Sequence, residues 1–409
     1  MKYLAIIGDG MADLSIAELN GKTPLEYLAP PGMAKLAGGE VGRARTCPPE
    51  LPPGSDVAFL SIFGHDPMLG YTGRSPLEAA GCGVKLRQGD VSFRMNLVAI
   101  SSEGYKSARM LSHNGGGIPG DEAYALVTAL MKDAAFAAKL NEINMTITPS
   151  RSFRHIAVMG GVVGDGASLP FEMVPPHDIV GALISDHLPR GRNQEALCAL
   201  TARAFEILSA HPINLTRINN GELAANAIWF WGDGTAAKLA NFKTQLGFGG
   251  PVISAVPLVK GIARLSGLEA PDLPGATGLL DTDYNGKLDC ALSALAGGAD
   301  FAAIHVEAPD ELSHDGDLEG KLEAIRRIDA RIIVPLLERL PRIDRDYRVM
   351  LLPDHYTLLS TRTHDGTPVP YCVYDSRANT RPRLFTEKLA QEYPLIEEGY
   401  RLLTRLFAG

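Results

Sequence analysis

Four short segments of this chain place carboxylates and imidazoles where chemistry can gather. Asp9 stands in Gly8-Asp9-Gly10-Met11-Ala12-Asp13, directly after an apolar run. Asp310 and His314 follow a second run, in Glu307-Ala308-Pro309-Asp310-Glu311-Leu312-Ser313-His314. On a helix, a spacing of four stacks that carboxylate and imidazole on one face, the geometry a single metal ion requires. Asp354-His355 follows a third run, and nine residues later comes Thr363-His364-Asp365-Gly366. Adjacent side chains diverge, so Asp354 and His355 suit two neighbouring ions better than one. Taken singly, an Asp-Gly pair after a strand is most often a turn, and Asp-x-x-x-His is most often a solvated helix face. Here three of ten histidines and three aspartates sit just past apolar runs, which turn chemistry does not account for. Oxygen and imidazole donors without thiolates suit manganese, zinc or magnesium better than copper or an iron-sulfur cluster.

A nucleophile is offered by Pro52-Pro53-Gly54-Ser55-Asp56-Val57-Ala58-Phe59-Leu60-Ser61-Ile62-Phe63-Gly64. Gly54 lets the backbone turn, and Ser55 opens an apolar helical run, which places its hydroxyl at a helix N-terminus where anions bind. The plainer reading of Ser55 is a helix N-cap. A dication beside it would lower the hydroxyl pKa and make it a phosphoryl acceptor.

These residues need strands to carry them. Tyr3 to Gly8, Phe301 to Glu307, Arg348 to Pro353 and Val369 to Asp375 are short, uninterrupted apolar runs of the kind buried on both faces of a sheet. Leu318 to Arg339 keeps helical spacing through Leu322, Ile325, Ile328, Ile332 and Leu336, so βαβ units and a mainly parallel sheet are expected. Thr386 to Phe407 reads as a closing helical region. Ligands gather at the carboxyl ends of strands in such sheets. In the middle of the chain, Val91 to Ile100, His155 to Gly161, Ala227 to Gly232 and Pro251 to Val256 read as strands, with helical stretches at Gly120 to Leu140 and Gln194 to His211. The expected organisation is an α/β domain from both termini, 1–85 and 272–409, carrying an inserted α/β domain, 86–271. Its seams fall near Gly81-Cys82-Gly83 and Ala270-Pro271-Asp272-Leu273-Pro274-Gly275.

The composition narrows the partners. With 39 basic and 47 acidic side chains the net charge is -8, so no general nucleic-acid binder is expected. Five scattered cysteines without a Cys-x-x-Cys pair suggest neither a disulfide framework nor a zinc knuckle, and a reducing cytoplasm is the natural setting. No window approaches the roughly 18 apolar residues of a membrane helix, and the first residues are too short a run for a signal peptide. Gly161-Val162-Val163-Gly164-Asp165-Gly166 reads as a hairpin turn, and Trp229 and Trp231 as strand packing. The sequence leaves the oligomeric state open.

Over nearly its whole length the chain resembles the cofactor-independent phosphoglycerate mutases of the archaeal type, within the alkaline phosphatase superfamily. The similarity runs through the Gly8 to Asp13 and Gly54-Ser55-Asp56 segments, Ser61-Ile62-Phe63-Gly64-His65-Asp66-Pro67 and Pro76-Leu77-Glu78-Ala79-Ala80-Gly81. It continues in Phe93-Arg94-Met95-Asn96-Leu97, Pro175-Pro176-His177-Asp178-Ile179, Ala225-Asn226-Ala227-Ile228-Trp229, Pro274-Gly275-Ala276-Thr277-Gly278 and His305-Val306-Glu307-Ala308-Pro309-Asp310-Glu311.

The resemblance implies an alkaline-phosphatase-like metal-binding domain with an inserted α/β phosphotransferase domain. It implies two divalent ions, manganese foremost with zinc, cobalt or magnesium as alternatives, and no requirement for 2,3-bisphosphoglycerate. Asp310, His314 and His364 match the ligands of one ion; Asp9, Asp354, His355 and the Ser55 oxygen match those of the other. Ser55 would take the phosphoryl group of 2- or 3-phosphoglycerate and return it to the other hydroxyl, in a site completed by basic residues as the domains close. Arg94, His113, Arg154 and Lys260 are the candidates for holding this small phosphorylated substrate. Two departures stand out: Ser112-His113-Asn114-Gly115-Gly116-Gly117-Ile118, where relatives show Tyr-Ser-Ala-Gly-His-Ile, and Thr367, where an aspartate is common. Rival readings are a homoserine kinase-like phosphotransferase and a metal-dependent phosphatase, with a non-catalytic binding module last.

Overall fold

Leu4, Ala5, Ile6 and Ile7 are completely shielded from solvent, because their strand lies in the middle of a sheet covered on both faces. The computed structural model describes residues 1–101, 103–163 and 169–408. Its chain separates into two compact units, one made of Met1–Tyr71, Ala80–Cys82 and the chain from Lys238 onward, the other of Thr72–Ala79 and Gly83–Ala237.

The first unit is built on a sheet of seven strands in the order Val252–Ile253, Phe301–Val306, Lys2–Gly8, Tyr347–Leu352, Val369–Asp375, Glu40–Ala44 and Leu395–Ile396. The first four run parallel, and Val369–Asp375 is the reversed strand. Ile6 pairs with Ile304 on one side and Leu351 on the other. Three adjacent strands therefore end at one edge, at Gly8, Val306 and Leu352, and the segments that follow them carry Asp9, Asp310 and Asp354. Helices cover the faces and bury Leu288, Leu292, Ile325, Ile328, Ile332 and Leu336 against the sheet.

In this unit two expected helical stretches are interrupted. The Leu318 to Arg339 stretch is α-helical over Leu318–Ile328 and Val334–Arg339, with a π-helical turn, Asp329–Ile333, between them. At that turn the Asp329 carboxylate accepts the backbone N–H groups of Gly32 and Met33, at 3.2 and 2.7 Å. A π-turn of this kind is where a side chain or a neighbouring segment enters the ladder. The Thr386 to Phe407 region is broken into a helix Glu387–Gln391, the edge strand Leu395–Ile396 and a helix Leu402–Phe407.

The second unit is an antiparallel sheet in which Val91–Ile100 pairs with Arg154–Met159 and with Ala227–Thr235, while Met145–Thr148 extends one edge and Met110–Ser112 pairs at the end of the long strand. The Gly120 to Leu140 stretch forms two helices, Gly120–Lys132 and Ala134–Glu142, because Asp133 leaves helical geometry and caps the second, accepting from Phe136 N at 2.9 Å. Of the glycine-rich 161–166 stretch, 164–166 lie outside the described residues.

Both boundaries differ from expectation: Thr72–Ala79, expected in the first domain, packs in the second unit. Residues 238–271 pack in the first unit, so the second crossing falls after Ala237 rather than near 270–275. Pro251 to Val256 contributes a strand, but it pairs in parallel with Phe301–Val306, Val252 against Ala303 and Ile253 against Ile304. A two-residue apolar strand fits either sheet, and only this pairing decides.

Replacing Asp329 by Ala should leave the Gly32 and Met33 N–H groups buried without acceptors, at about 1–3 kcal/mol for each. Urea unfolding of the variant is expected to show that loss in midpoint with an unchanged m-value.

Candidate functional site

Asp9 and Asp354 face each other across the carboxyl edge of adjacent parallel strands, and both are buried. Between them the backbone turns at Gly10, whose φ of +58° and whose closeness to Thr357 Oγ1 and Asp310, within 3 Å of any added Cβ, admit glycine alone. Gly10 N–H and His355 N–H both donate to Asp354 Oδ1, at 3.1 and 2.8 Å. Ligating atoms of Asp9, Asp354 and His355 lie within 4.8 Å of one another, as do those of Asp310, His355 and His364. His355 is therefore shared by two overlapping sets.

The second set is assembled from a helix and a hairpin. Asp310 and His314 lie one turn apart on helix Ala308–Asp315, with His314 Nε2 3.3 Å from Asp310 Oδ2. Strand Thr363–Asp365, paired with Tyr356–Leu358, brings His364 Nε2 within 3.6 Å of Asp310 Oδ1 and 3.0 Å of His314 Nε2. His314 Nδ1 is held by the carbonyl of Arg362 at 2.8 Å.

Ser55 begins helix Ser55–Ile62, but it is not the cap: Gly54 occupies that position, and the Ser55 side chain turns away to place Oγ 3.2 Å from His355 Nε2. The serine hydroxyl thus points into the shared histidine rather than closing its own helix.

Several residues that sequence reading did not single out set the protons here. Thr357 Oγ1 donates to Asp310 Oδ1 at 2.5 Å and so accepts from His355 Nδ1, 3.1 Å away. His355 then presents its Nε2 lone pair to the cluster, and burial holds its pKa below the ordinary range, keeping the ring neutral. Lys321, fully buried, donates to Asp13 Oδ2 at 2.8 Å and to the carbonyl of Thr357 at 2.7 Å, fastening the hairpin to the Gly8 to Asp13 turn. His305 Nε2 lies 2.9 Å from Asp9 Oδ2. A polar residue inside an otherwise apolar strand run was the available signal for His305; Thr357, two residues past His355, was marked only by the alternation of a strand.

The electrostatics call for cations. Burial raises the Asp9 carboxyl well above its usual value, and the neighbouring Asp354 and Asp310 carboxylates raise it further. Burial acts the same way on Asp310, but hydrogen bonds from His314 and His364 outweigh it and hold that carboxyl well below the ordinary range. His314 is raised to about 9, chiefly by its bond to Asp310. Asp9 Oδ1 and Asp354 Oδ2 are buried and make no hydrogen bond, an arrangement that is costly unless a positive ion completes it. Orphaned carboxylate oxygens, a lone-pair imidazole nitrogen and a hydroxyl together fit divalent cations. Cys47, though close to Gly54, is raised to about 12, first by burial, so it is a thiol rather than a thiolate donor.

The residues expected to hold substrate separate. In the second unit Arg94, on Val91–Ile100, clasps Glu78 through both Nε, at 2.8 Å, and a second short contact, and stacks 4.5 Å over the Trp231 ring. Arg94 is buried and its charge is already engaged. Arg154 lies 3.8 Å from Glu78 and beside the Phe153 and Trp231 rings. His113 and His177 rings lie 6.1 Å apart, with His177 edge-on to Trp231, so these residues form one basic, aromatic cluster. In the loop that departs from the resemblance, Gly115, Gly116 and Gly117 all have positive φ, a backbone only glycine takes without strain. Lys260 is elsewhere: it sits on helix Pro257–Leu265 of the first unit, paired with Asp272 at 2.7 Å, because the segment carrying it joins the first sheet.

A helix-borne serine beside two overlapping carboxylate–imidazole sets, at the carboxyl edge of a mainly parallel sheet, defines a class of α/β proteins with a serine among groups that could hold metal ions. Comparison with known proteins narrows the class. Residues 37–214 match the family model of 2,3-bisphosphoglycerate-independent phosphoglycerate mutase. The chain is 42% identical over 379 residues to the 2,3-bisphosphoglycerate-independent phosphoglycerate mutase of Methanosarcina acetivorans, covering 92% of this chain and 91% of that one. It is 41% identical over 413 residues to that of Methanothrix thermoacetophila, covering 100% of both. Among solved structures, a Pyrococcus horikoshii protein matches with a TM-score of 0.78 at 28% identity, over 100% of this chain and 97% of that one. The cofactor-independent phosphoglycerate mutase of Thermoplasma acidophilum shares the fold, with a TM-score of 0.61 at 22% identity over 100% and 99% of the two chains. The chain belongs to the family of 2,3-bisphosphoglycerate-independent phosphoglycerate mutases.

Glu78 supplies a test of the basic cluster. Burial alone would raise its carboxyl, but Arg94 first and then Arg154 and Arg74 hold it at about 2, against 4.5 ordinarily. A depressed carboxyl stabilises the fold above the unfolded value and loses that contribution as pH falls from 4.5 towards 2. Glu78→Gln should cost about 3–5 kcal/mol at neutral pH by leaving Arg94 buried without its partner. Thermal melting should show the gap between parent and variant narrowing across that acid window.

Proposed function

We propose that this chain interconverts 3-phosphoglycerate and 2-phosphoglycerate through a phosphoserine at Ser55, with two divalent cations and without added 2,3-bisphosphoglycerate. Membership of the mutase family supports the reaction. The observation that carries the mechanism is the placement of Ser55 Oγ, 3.2 Å from His355 Nε2, at the junction of the two ligand sets.

Asp9, Asp354, His355 and Ser55 would hold one cation, and Asp310, His314 and His364 the other; manganese, zinc, cobalt and magnesium all suit oxygen and imidazole donors, and the family resemblance puts manganese first. When bound, the cations neutralise phosphoryl charge and favour the serine alkoxide. Ser55 Oγ forms a bond to phosphorus as the bond to the glycerate oxygen breaks, and that oxygen takes up a proton. The glycerate then reorients, its other hydroxyl gives up a proton and attacks phosphorus, and Ser55 is released unchanged. No second phosphoryl donor enters, which is why the chemistry needs no bisphosphoglycerate. Water must be kept from the phosphoserine, since its attack would release inorganic phosphate.

The second unit contributes anion-binding chemistry suited to the glycerate carboxylate. Arg154, His113 and His177 are the groups at its partly exposed face, while Arg94, engaged by Glu78, shapes that face rather than reaching substrate. We therefore assign the first unit the metal-binding, phosphatase-like role and the second the substrate-binding role. No helix among the described residues is long and apolar enough to cross a membrane, and the acidic net charge and dispersed cysteines support a cytoplasmic enzyme acting on a small phosphorylated substrate.

The deciding experiment is turnover of 3-phosphoglycerate by Mn2+-reconstituted protein, coupled to enolase and run without 2,3-bisphosphoglycerate. Activity should fall by on the order of a thousandfold or more in Ser55→Ala. It should vanish on chelation and return with Mn2+. Phosphorylation of homoserine from ATP, or release of inorganic phosphate in place of 2-phosphoglycerate, would assign a different acceptor.

A further inference from the structure

Asp9 is a carboxylate with one oxygen committed and one left over, and the commitment can be traced to a serine outside the ligand sets. Ser254 follows the edge strand Val252–Ile253. Its Oγ accepts the N–H of Val256 at 3.0 Å and lies 2.9 Å from His305 Nδ1. An ionised Asp9 carboxylate can only accept, so His305 Nε2, 2.9 Å from Asp9 Oδ2, carries a proton. A neutral imidazole with its proton on Nε2 leaves Nδ1 as an acceptor, and there the Ser254 hydroxyl donates. The ring is fully buried in the strand Phe301–Val306, with Phe59 edge-on at 4.9 Å, and Lys287 Nζ fixes its backbone by donating to the His305 carbonyl at 2.9 Å. The Asp9 oxygen that His305 does not hold, Oδ1, is the one without a hydrogen bond, 3.7 Å from His355 Nε2.

From this chain of contacts we propose that His305 is a positioning residue for the cation centre: Ser254 supports its tautomer by donating to Nδ1, and its Nε2–H fixes Asp9 so that Oδ1 alone faces the cation. Outer partners of this kind orient a ligand and raise its affinity for metal by reducing the ways it can turn. The inference rests on reading the centre as a cation site.

The test is Mn2+ affinity of the full-length protein, measured by isothermal titration calorimetry on the parent, His305→Asn, His305→Gln and Ser254→Ala. Glutamine carries an amide N–H close to the position of Nε2, whereas the shorter asparagine reaches only the position of Nδ1. Both remove the ring from Phe59 equally. His305→Asn should weaken Mn2+ binding about 10–100-fold, and His305→Gln should recover most of that loss. Ser254→Ala, which releases the tautomer without removing the ring, should fall between the parent and His305→Asn. Melting of the metal-free proteins reports any general loss of structure, which a merely structural role makes the same for Asn and Gln. Equal affinity for the two ring variants overturns the proposal, and so does unchanged affinity in Ser254→Ala, a readout that stands even if the ring variants fail to fold. A parent that binds no Mn2+ overturns the cation reading itself, and this inference with it.

Discussion

Three carboxylates brought together in a buried place are the constraint on which the first unit depends. Asp9, Asp310 and Asp354 are each at least nine-tenths hidden from solvent, and two of their oxygens carry no hydrogen bond. Such a cluster opposes folding through desolvation and mutual repulsion, as the raised Asp9 carboxyl records. What makes it tolerable is a surrounding set of donors, from the Gly10 and His355 amides to Thr357 and His305, and a geometry ready for positive charge.

The parallel sheet makes that concentration possible. Strands paired in the same direction end at the same edge, so residues nearly 350 positions apart in the chain emerge side by side without any local sequence relation. The apolar runs that bury the sheet on both faces also make its edge rigid, and a rigid edge is what holds ligand oxygens to a fraction of an ångström. The Lys321–Asp13 pair extends this rigidity outward, since it ties the hairpin bearing Thr357 to the turn bearing Asp9.

Proton placement follows from counting donors. Thr357 has one proton and gives it to Asp310, so His355 must offer Nε2 as a lone pair. An ionised Asp9 has no proton to give, so His305 offers it Nε2–H and takes the Ser254 hydroxyl proton at Nδ1. The same fold thus arranges two neighbouring imidazoles in opposite senses, one as a lone pair towards the centre and one as a donor that secures a carboxylate. In the second unit the logic is ionic instead: one buried carboxylate, Glu78, faces Arg94, Arg154 and Arg74, and organises a basic surface beside Trp231.

Much of this was legible in the chain because periodicity and turn residues act locally. Uninterrupted apolar runs revealed the buried strands, and the polar residues just past them revealed the candidate ligands, since the end of a buried strand is where a polar side chain first becomes useful. The Asp310 to His314 spacing specified one helical face, and Gly54 before Ser55 specified a helix start. What local pattern does not contain is partner choice. Pro251 to Val256 reads the same whether it joins one sheet or the other, and Lys260 travelled with it into the first unit, where Asp272 takes its charge. Arg94 gains Glu78 only through folding, and His305 looked like one more strand residue until folding set it against Asp9. By itself the sequence determined the element types and the chemistry they carry, because these depend on neighbours within a turn or two; the tertiary structure alone decided which charges meet and which nitrogen holds a proton, because these depend on residues hundreds of positions apart.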